Sequence, residues 1–247
     1  MHRVILAIGL VLVALPATAD ECLPCPPPEP PPPVWIGSID FSYLATAGNS
    51  EAKTFGLATR WARQPTPWGA ELEALANRAE SGGAKTAERI FGGVRSKRAV
   101  GDRYELFAGL SYERDQFAGF DSRVVLETGG LQRVLTGPVH ELNFDLGLTW
   151  TREEPVTGPG SDYVGGIAGA RYAWKINNSA TFRERLVLYP DFEDSSDWRL
   201  RSETSLETAL ASSWALRVSY LLTRDNVPPP GFEKDDSATS VSLVWKR

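Results

Sequence analysis

Residues 140–150 read HELNFDLGLTW. Leu142, Phe144, Leu146, Leu148 and Trp150 share one parity, and Glu141, Asn143, Asp145 and Gly147 share the other. A strict period of two marks a β-strand with one apolar and one polar face, because successive side chains of an extended chain point to opposite sides. The fold turns on which face looks inward. In a soluble sandwich the leucines would be the core; in a membrane barrel they would face lipid.

The alternation recurs from Trp35 to the end. Twelve segments show it, at about 35–45, 52–63, 68–79, 86–98, 103–114, 121–134, 139–152, 162–174, 180–190, 197–209, 213–224 and 237–247. Most run about 11 to 14 residues, long for a soluble strand and suited to a tilted strand crossing a bilayer. No segment sustains a helical period, so the chain reads as all-β. The connections alternate too. QPTP, VGDR, TGPV, INNS and ASS are brief, while DQFAGF, EPVTGPGSD, DFEDSS and DNVPPPGFEKDD are longer, with TAGNSE and ESGGAK intermediate. Short turns at one end and longer loops at the other suit a transmembrane antiparallel up-and-down β-barrel of about twelve strands, with the short turns in the periplasm.

Tryptophan decides the facing. All eight, Trp35, Trp61, Trp68, Trp150, Trp174, Trp198, Trp214 and Trp245, lie at or beside a segment end with the parity of the apolar face. Indoles at the two rims of an apolar band form a lipid-interface girdle, whereas a sandwich core would hold them in mid-strand. Six of the eight belong to the short-turn end. The opposite parity carries Glu71, Glu73, Arg95, Glu105, Glu127, Asp145 and Arg171 in mid-strand, which suits a polar lumen. Glu184 on the lipid parity, and Leu75, Phe91, Phe107 and Leu131 on the luminal one, break the rule and suggest a local bulge or register slip.

The N-terminus reads as an export signal. MHR is a short basic region, VILAIGLVLVALP an apolar run, and Ala17-Thr18-Ala19 a cleavage site, so residues 1–19 are expected to be removed. No other apolar run approaches the roughly 18 residues a membrane helix needs. Residues 20–34 follow as a periplasmic tether, with a stiff polyproline stretch from Pro26 to Pro33, and residues 35–247 form the barrel. Cys22 and Cys25 are the only cysteines; without a second metal-ligand pair they read as a local disulfide or two idle thiols rather than a redox or metal motif.

Two charged constellations remain. Arg183, Arg185, Arg199, Arg201 and Arg217 share the luminal face of three consecutive segments, with Glu203 and Glu207 among them and Glu203 expected opposite Arg183 or Arg185. They read either as a constriction selecting anions or as salt-bridged bracing of a closed barrel. The long-loop rim is strongly acidic; it reads as a solvated surface or as carboxylates for divalent cations bridging to lipopolysaccharide phosphates. His140 is the only histidine after the leader and falls at the short-turn end, the wrong end for an enzyme acting on the outer leaflet. No catalytic, metal or cofactor site is assigned.

Several stretches together resemble a known family. WIGSIDFSYLATAGNSEAKTFGLATRW, TAERIFGGVRSKRAVGDRYELFAGLSYERDQFAGFDSR, YAWKINNSATFRERL and VPPPGFEKDDSATSVSLVWKR occur in this order. They are similar to the salt-induced outer-membrane proteins of the YdiY type, a Gram-negative domain of unknown function (number 481), over about residues 35–247. The proline tether and the basic end Trp245-Lys246-Arg247 depart from the pattern. The resemblance implies a twelve-stranded outer-membrane barrel with no established substrate or catalytic residue. The expected function is a non-enzymatic narrow channel or structural barrel of the envelope, with a lipid-active barrel enzyme and a soluble periplasmic β-sandwich as alternatives. Expected partners are outer-membrane lipids, lipopolysaccharide and the barrel-assembly machinery; no nucleic acid is expected for a chain of net charge −5, and the oligomeric state is left open.

Overall fold

The computed structural model describes residues 35–46 and 52–247; the expected leader, tether and Cys22/Cys25 pair lie outside them. The described residues form twelve strands: β1 (Ile36–Thr46), β2 (Ala52–Arg63), β3 (Trp68–Ser81), β4 (Ala84–Ala99), β5 (Tyr104–Asp115), β6 (Phe120–Thr136), β7 (His140–Pro155), β8 (Ser161–Lys175), β9 (Ala180–Pro190), β10 (Trp198–Ala211), β11 (Trp214–Asp225) and β12 (Asp235–Lys246). Each pairs antiparallel with its sequence neighbours, and β1 meets β12, so spatial order repeats chain order and the sheet closes. The sandwich alternative is thereby overturned.

β7 turns its leucines outward. Phe144, Leu146 and Leu148 are 46%, 72% and 56% exposed, while Asp145 and Thr149 on the other parity are 4% and 5% exposed. The polarity is inverted relative to a soluble domain. The apolar band continues around the wall through Ile39 and Phe41, Leu57, Leu106 and Leu110, Val218 and Tyr220, and Val241 and Leu243, all exposed. A belt of that extent needs lipid rather than water against it. Apart from the loop-side part of the β1–β12 joint, closure pairs the backbone groups of mid-strand within the sheet, the condition for crossing hydrocarbon with strands. The chain is a transmembrane β-barrel.

The tryptophans gather where the parity rule puts them. Trp61, Trp68, Trp174, Trp214 and Trp245 stand at the short-turn ends of their strands with Trp35 just before β1, and Trp150 and Trp198 stand toward the other end. The Trp61 indole lies on Gly37, where a Cβ would come within 2.3 Å of the ring. Trp61 is also 6.5 Å from the ring of Trp245, which sits opposite Trp214. Three indoles thus cluster around the β1–β12 closure. That seam is short: four residue pairs, Ser38↔Lys246 to Phe41↔Leu243, against eleven between β1 and β2.

Two expectations need correction. The third connection is not of intermediate length. The strands run to Ser81 and from Ala84, and Gly82 and Gly83 alone make the turn with φ of 57° and 79°. A two-residue hairpin needs positive φ at both centres to follow the strand twist, and glycine adopts it without strain. Nor does a slip move Leu75, Phe91, Phe107 or Leu131. The shifts fall near strand ends, at Ala79/Glu80, Glu113/Asp115, Phe120/Ser122, Arg133/Leu135 and Ala209/Ala211, and the four apolar residues face inward in regular register. Glu184 likewise faces outward in regular register, and its two oxygens accept hydrogen bonds from the Ser202 and Thr204 hydroxyls at 2.8 and 2.5 Å.

Residues 191–197 form a structured loop at the long-loop end. Asp191 Oδ1 accepts from the Glu193 amide at 2.7 Å, the Asp191 amide donates to the Asp197 carbonyl at 3.0 Å, and the Asp197 amide donates to the Asp194 carbonyl at 2.9 Å. Burial pushes the Asp197 carboxyl up to about 6, with Asp225 adding repulsion and Arg199 opposing both.

The inverted faces predict opposite outcomes for one substitution on the two sides. Leu146→Arg should impair folding into bilayers by roughly 2–4 kcal/mol near mid-membrane, and luminal Ser219→Arg by less. Heat-modifiable gel mobility after refolding reads the folded fraction; a greater loss for Ser219→Arg would mean that the faces are reversed, and equal tolerance would refute the division into two faces. For the loop, a folded pKa above the ordinary carboxyl value means that the folded form takes up a proton as pH falls. Protection of amides 191–197 should therefore be greater at pH 5 than at pH 7.5 and decline through about pH 6. Asp197→Asn should abolish the difference, as read by exchange rates corrected for their intrinsic pH dependence.

Candidate functional site

The candidate site is the lumen. Alternation places one side chain in two there, and the walls stand close enough for long side chains to meet across it. Arg60 on β2 donates to Glu203 on β10 at 2.7 and 2.8 Å and to Glu73 on β3 at 3.1 Å. Arg185 on β9 reaches the other oxygen of Glu73 at 2.9 Å. Arg171 on β8 meets Glu71 on β3 at 3.2 Å and Asp145 on β7 at 3.4 Å, and Arg95 on β4 joins the same Asp145 at 3.0 Å and Glu127 at 2.6 Å. Lys97 also pairs with Glu71. β3 and β9 lie on opposite sides of the closed sheet, so Arg185–Glu73 spans the bore.

Two further groups flank this middle layer. Toward the short turns, Glu207 accepts Arg217 at 2.6 Å, Lys246 at 2.5 Å and Arg183 at 3.4 Å, and Arg217 continues to Asp40. Toward the loops, Arg123 holds Glu153 at 2.5 Å and Asp225 at 3.3 Å, and Arg89 donates to Glu113 at 2.6 Å. Most of these carboxylates are largely screened from water, where removing one partner alone costs about 3–5 kcal/mol because the other charge is stranded.

An apolar cluster shares the lumen. Phe107, Leu131, Ile167 and Val187 are buried together with Tyr189 against them. Gly129 and Gly147 face each other beneath it, and a Cβ on Gly129 would come within 2.8 Å of Phe107 Cζ. The missing side chains make room for the phenyl ring, and Arg95 stacks on that ring at 4.3 Å. Luminal phenylalanine and leucine are thus a packed wall rather than a register error.

The arginines singled out by sequence do not form one patch. Arg217 and Arg183 converge on Glu207 near the short turns, Arg185 belongs to the middle layer, and Arg199 and Arg201 stand nearer the loops. Nor are two acids their only neighbours. Glu203 is opposite Arg185 in register, as expected, but its ion pair is with Arg60, and Glu73 and Asp40 come from other walls. Arg60 and Asp40 were absent from the sequence reading, although the parity of Trp61 and of Ile39 and Phe41 assigns both to the lumen. Across-bore pairing leaves no spacing signal.

Space remains on both sides of the middle layer. An outer cavity of about 130 Å³ is lined by Arg89, Phe91, Glu113, Tyr189, Arg199 and Arg201 among others. An inner cavity of about 410 Å³ lies among Arg60, Arg183, Glu203, Glu207 and Arg217. Glu71, Glu73 and Arg185 line both. His140 is on the outside, stacked at 6.0 Å on Tyr172 and 6.1 Å on Trp174, with Nδ1 2.9 Å from the Tyr172 hydroxyl. Among the described residues, no group of three or more His, Cys, Asp or Glu side chains is placed to hold a metal ion.

Comparison with known proteins agrees with this architecture. The chain is 26% identical over 251 residues to a protein of Escherichia coli (strain K12) described as "Uncharacterized protein YdiY", covering 98% of this chain and 96% of that one. Among solved structures, a NanC porin superposes with a TM-score of 0.53 at 13% identity, covering 86% of this chain and 99% of the porin. The translocator domain of the autotransporter NalP from Neisseria meningitidis gives 0.47 at 14% identity, with 86% of each chain covered. The NanC likeness, at 13% identity, speaks for the fold alone. A family model described as "Protein of unknown function, DUF481" matches residues 39–246. The chain belongs to that family.

Proposed function

We propose that this chain is a non-enzymatic outer-membrane barrel that passes small hydrophilic solutes through a narrow lumen, closed at rest by a partition of side chains. One observation carries the reading. The outer and inner cavities meet at the same three residues, Glu71, Glu73 and Arg185. What stands between them is an ion-paired layer, with Arg185 and Glu73 2.9 Å apart. Side chains change rotamer on fast timescales, so such a layer can part where a folded-in plug could not. Outer-membrane placement is supported by the closed barrel, its apolar belt and its two indole rims. Lipid and lipopolysaccharide would then surround the belt, and the barrel-assembly machinery would insert it.

A second reading has its own support. Pairs joining opposite walls, such as Arg185–Glu73 and Arg60–Glu203, are also what a braced structural barrel would use.

Planar-bilayer recording separates the two. Removing both members of one pair avoids a stranded charge. Glu73→Ala with Arg185→Ala should widen the partition and raise single-channel conductance above the wild type. If the wild type and the double variant both conduct nothing while remaining folded, the residues are braces and the channel reading falls.

Orientation is checked on intact cells in a Cys22→Ser/Cys25→Ser background. A cysteine at Asp194 should react with an impermeant reagent and one at Gly101 should not; equal labelling would refute the placement. The resemblance to salt-induced proteins adds that the Asp194 signal should rise after a shift to high NaCl, and an unchanged signal would count against that character.

A further inference from the structure

We propose that the outer half of the lumen is a binding site for a small oxyanion, a carboxylate or phosphate group, taken by Arg199 and Arg201. The inference rests on the channel reading only for its physiological use, not for the site itself.

Arg60, Arg89, Arg95, Arg123, Arg133, Arg171, Arg183, Arg185 and Arg217 all face the lumen with a carboxylate within 4 Å. Arg199 and Arg201 face it with none among the described residues. Arg201 Nε is buried and has no hydrogen-bond partner. A buried guanidinium nitrogen left without a partner is costly, and this lumen otherwise neutralises its arginines.

The pair has the form of a receptor. Both side chains line the outer cavity. They are two residues apart on β10 and so point to the same side. The Arg199 guanidinium carbon is 5.3 Å from the Tyr189 ring centre, and that of Arg201 is 5.6 Å from the Phe91 ring centre. An aromatic face under a guanidinium fixes its plane without using its N–H edges, which remain available for the forked hydrogen bonds that suit carboxylate and phosphate oxygens.

Competing acids are accounted for. Of those lining the cavity, Glu71, Glu73, Glu113, Glu127 and Asp225 already hold Arg171, Arg185, Arg89, Arg95 and Arg123. Glu233 and Asp236 have no cation partner among the described residues, but they are exposed at the mouth, where salt screens them within about 8 Å. They would slow entry of an anion more than they weaken its hold. A neutral solute lacks the ion–ion attraction to the two guanidinium groups, and a cation is repelled by them.

Calorimetry on the refolded, full-length mature barrel in neutral detergent tests the site, with inorganic phosphate and acetate as probes, acetamide as the uncharged control, and chloride held constant. Saturable binding of phosphate or acetate, and none of acetamide, is expected. Arg199→Gln with Arg201→Gln should weaken it by about tenfold or more, the loss expected for charge-assisted hydrogen bonds. Arg152→Gln, exposed outside the lumen where it pairs with Glu154, should leave it unchanged. A second readout guards against misfolding: without anion, the double variant should melt no lower than the wild type, because it removes uncompensated charge. Absence of saturable binding to the wild type, or unchanged binding in the folded double variant, overturns the site. A barrel that binds but never conducts refutes the channel alone, and one that conducts without binding refutes the site alone.

Discussion

A sheet that must live in hydrocarbon can leave no backbone donor or acceptor without a partner at mid-depth, and closing the sheet on itself is the way strands meet that demand. Everything else in this protein follows from closure. Once the edges are joined, the period of two becomes a division between lipid and lumen, and leucine is correct on the outside. HELNFDLGLTW is an ordinary amphipathic strand turned outward by its surroundings. The charges it carries on its other side have nowhere to go but into the bore.

Confinement then governs the electrostatics. A carboxylate on a surface strand can be left to water, but Asp145 and Glu207 are almost wholly buried and are each approached by at least two cations. The facing walls supply them, which is why partners such as Arg60 and Glu203 are 143 residues apart in the chain. Such pairs gain in strength from the lowered dielectric and lose to desolvation, so their net contribution to stability is small compared with the penalty for removing one member. Their effect is on shape. They set how much of the bore is filled and at which level it is narrowest.

The faces were legible in the sequence because they rest on a local rule. Alternation within HELNFDLGLTW and the parity of the eight tryptophans need no knowledge of any other strand. Phe107 and Leu131 looked like errors because the same local rule assigns every luminal position to polar groups. Their environment comes from Ile167 and Val187 on strands not paired with theirs, and from the space left at Gly129. The five arginines of β9, β10 and β11 were placed correctly in the lumen but misjudged as a group. Strand pairing fixes a residue's height only relative to its neighbours, and whether Glu73 meets Arg185 depends on stagger around half the circumference. No spacing in the chain encodes it.

The seam between first and last strand adds a mechanical property. Its register pairs run from Ser38 to Phe41, extended toward the short turns by a reciprocal backbone pair between Gly37 and Arg247, so the joint is fastened along one end. Arg217 on β11 reaches over β12 to Asp40 on β1, a strap across that same end. The cylinder is therefore a clasp rather than a hoop. Force or heat should open it lengthwise from the loop side, and in assembly the charged strap and the three indoles can lock only after the last strand has come round to the first.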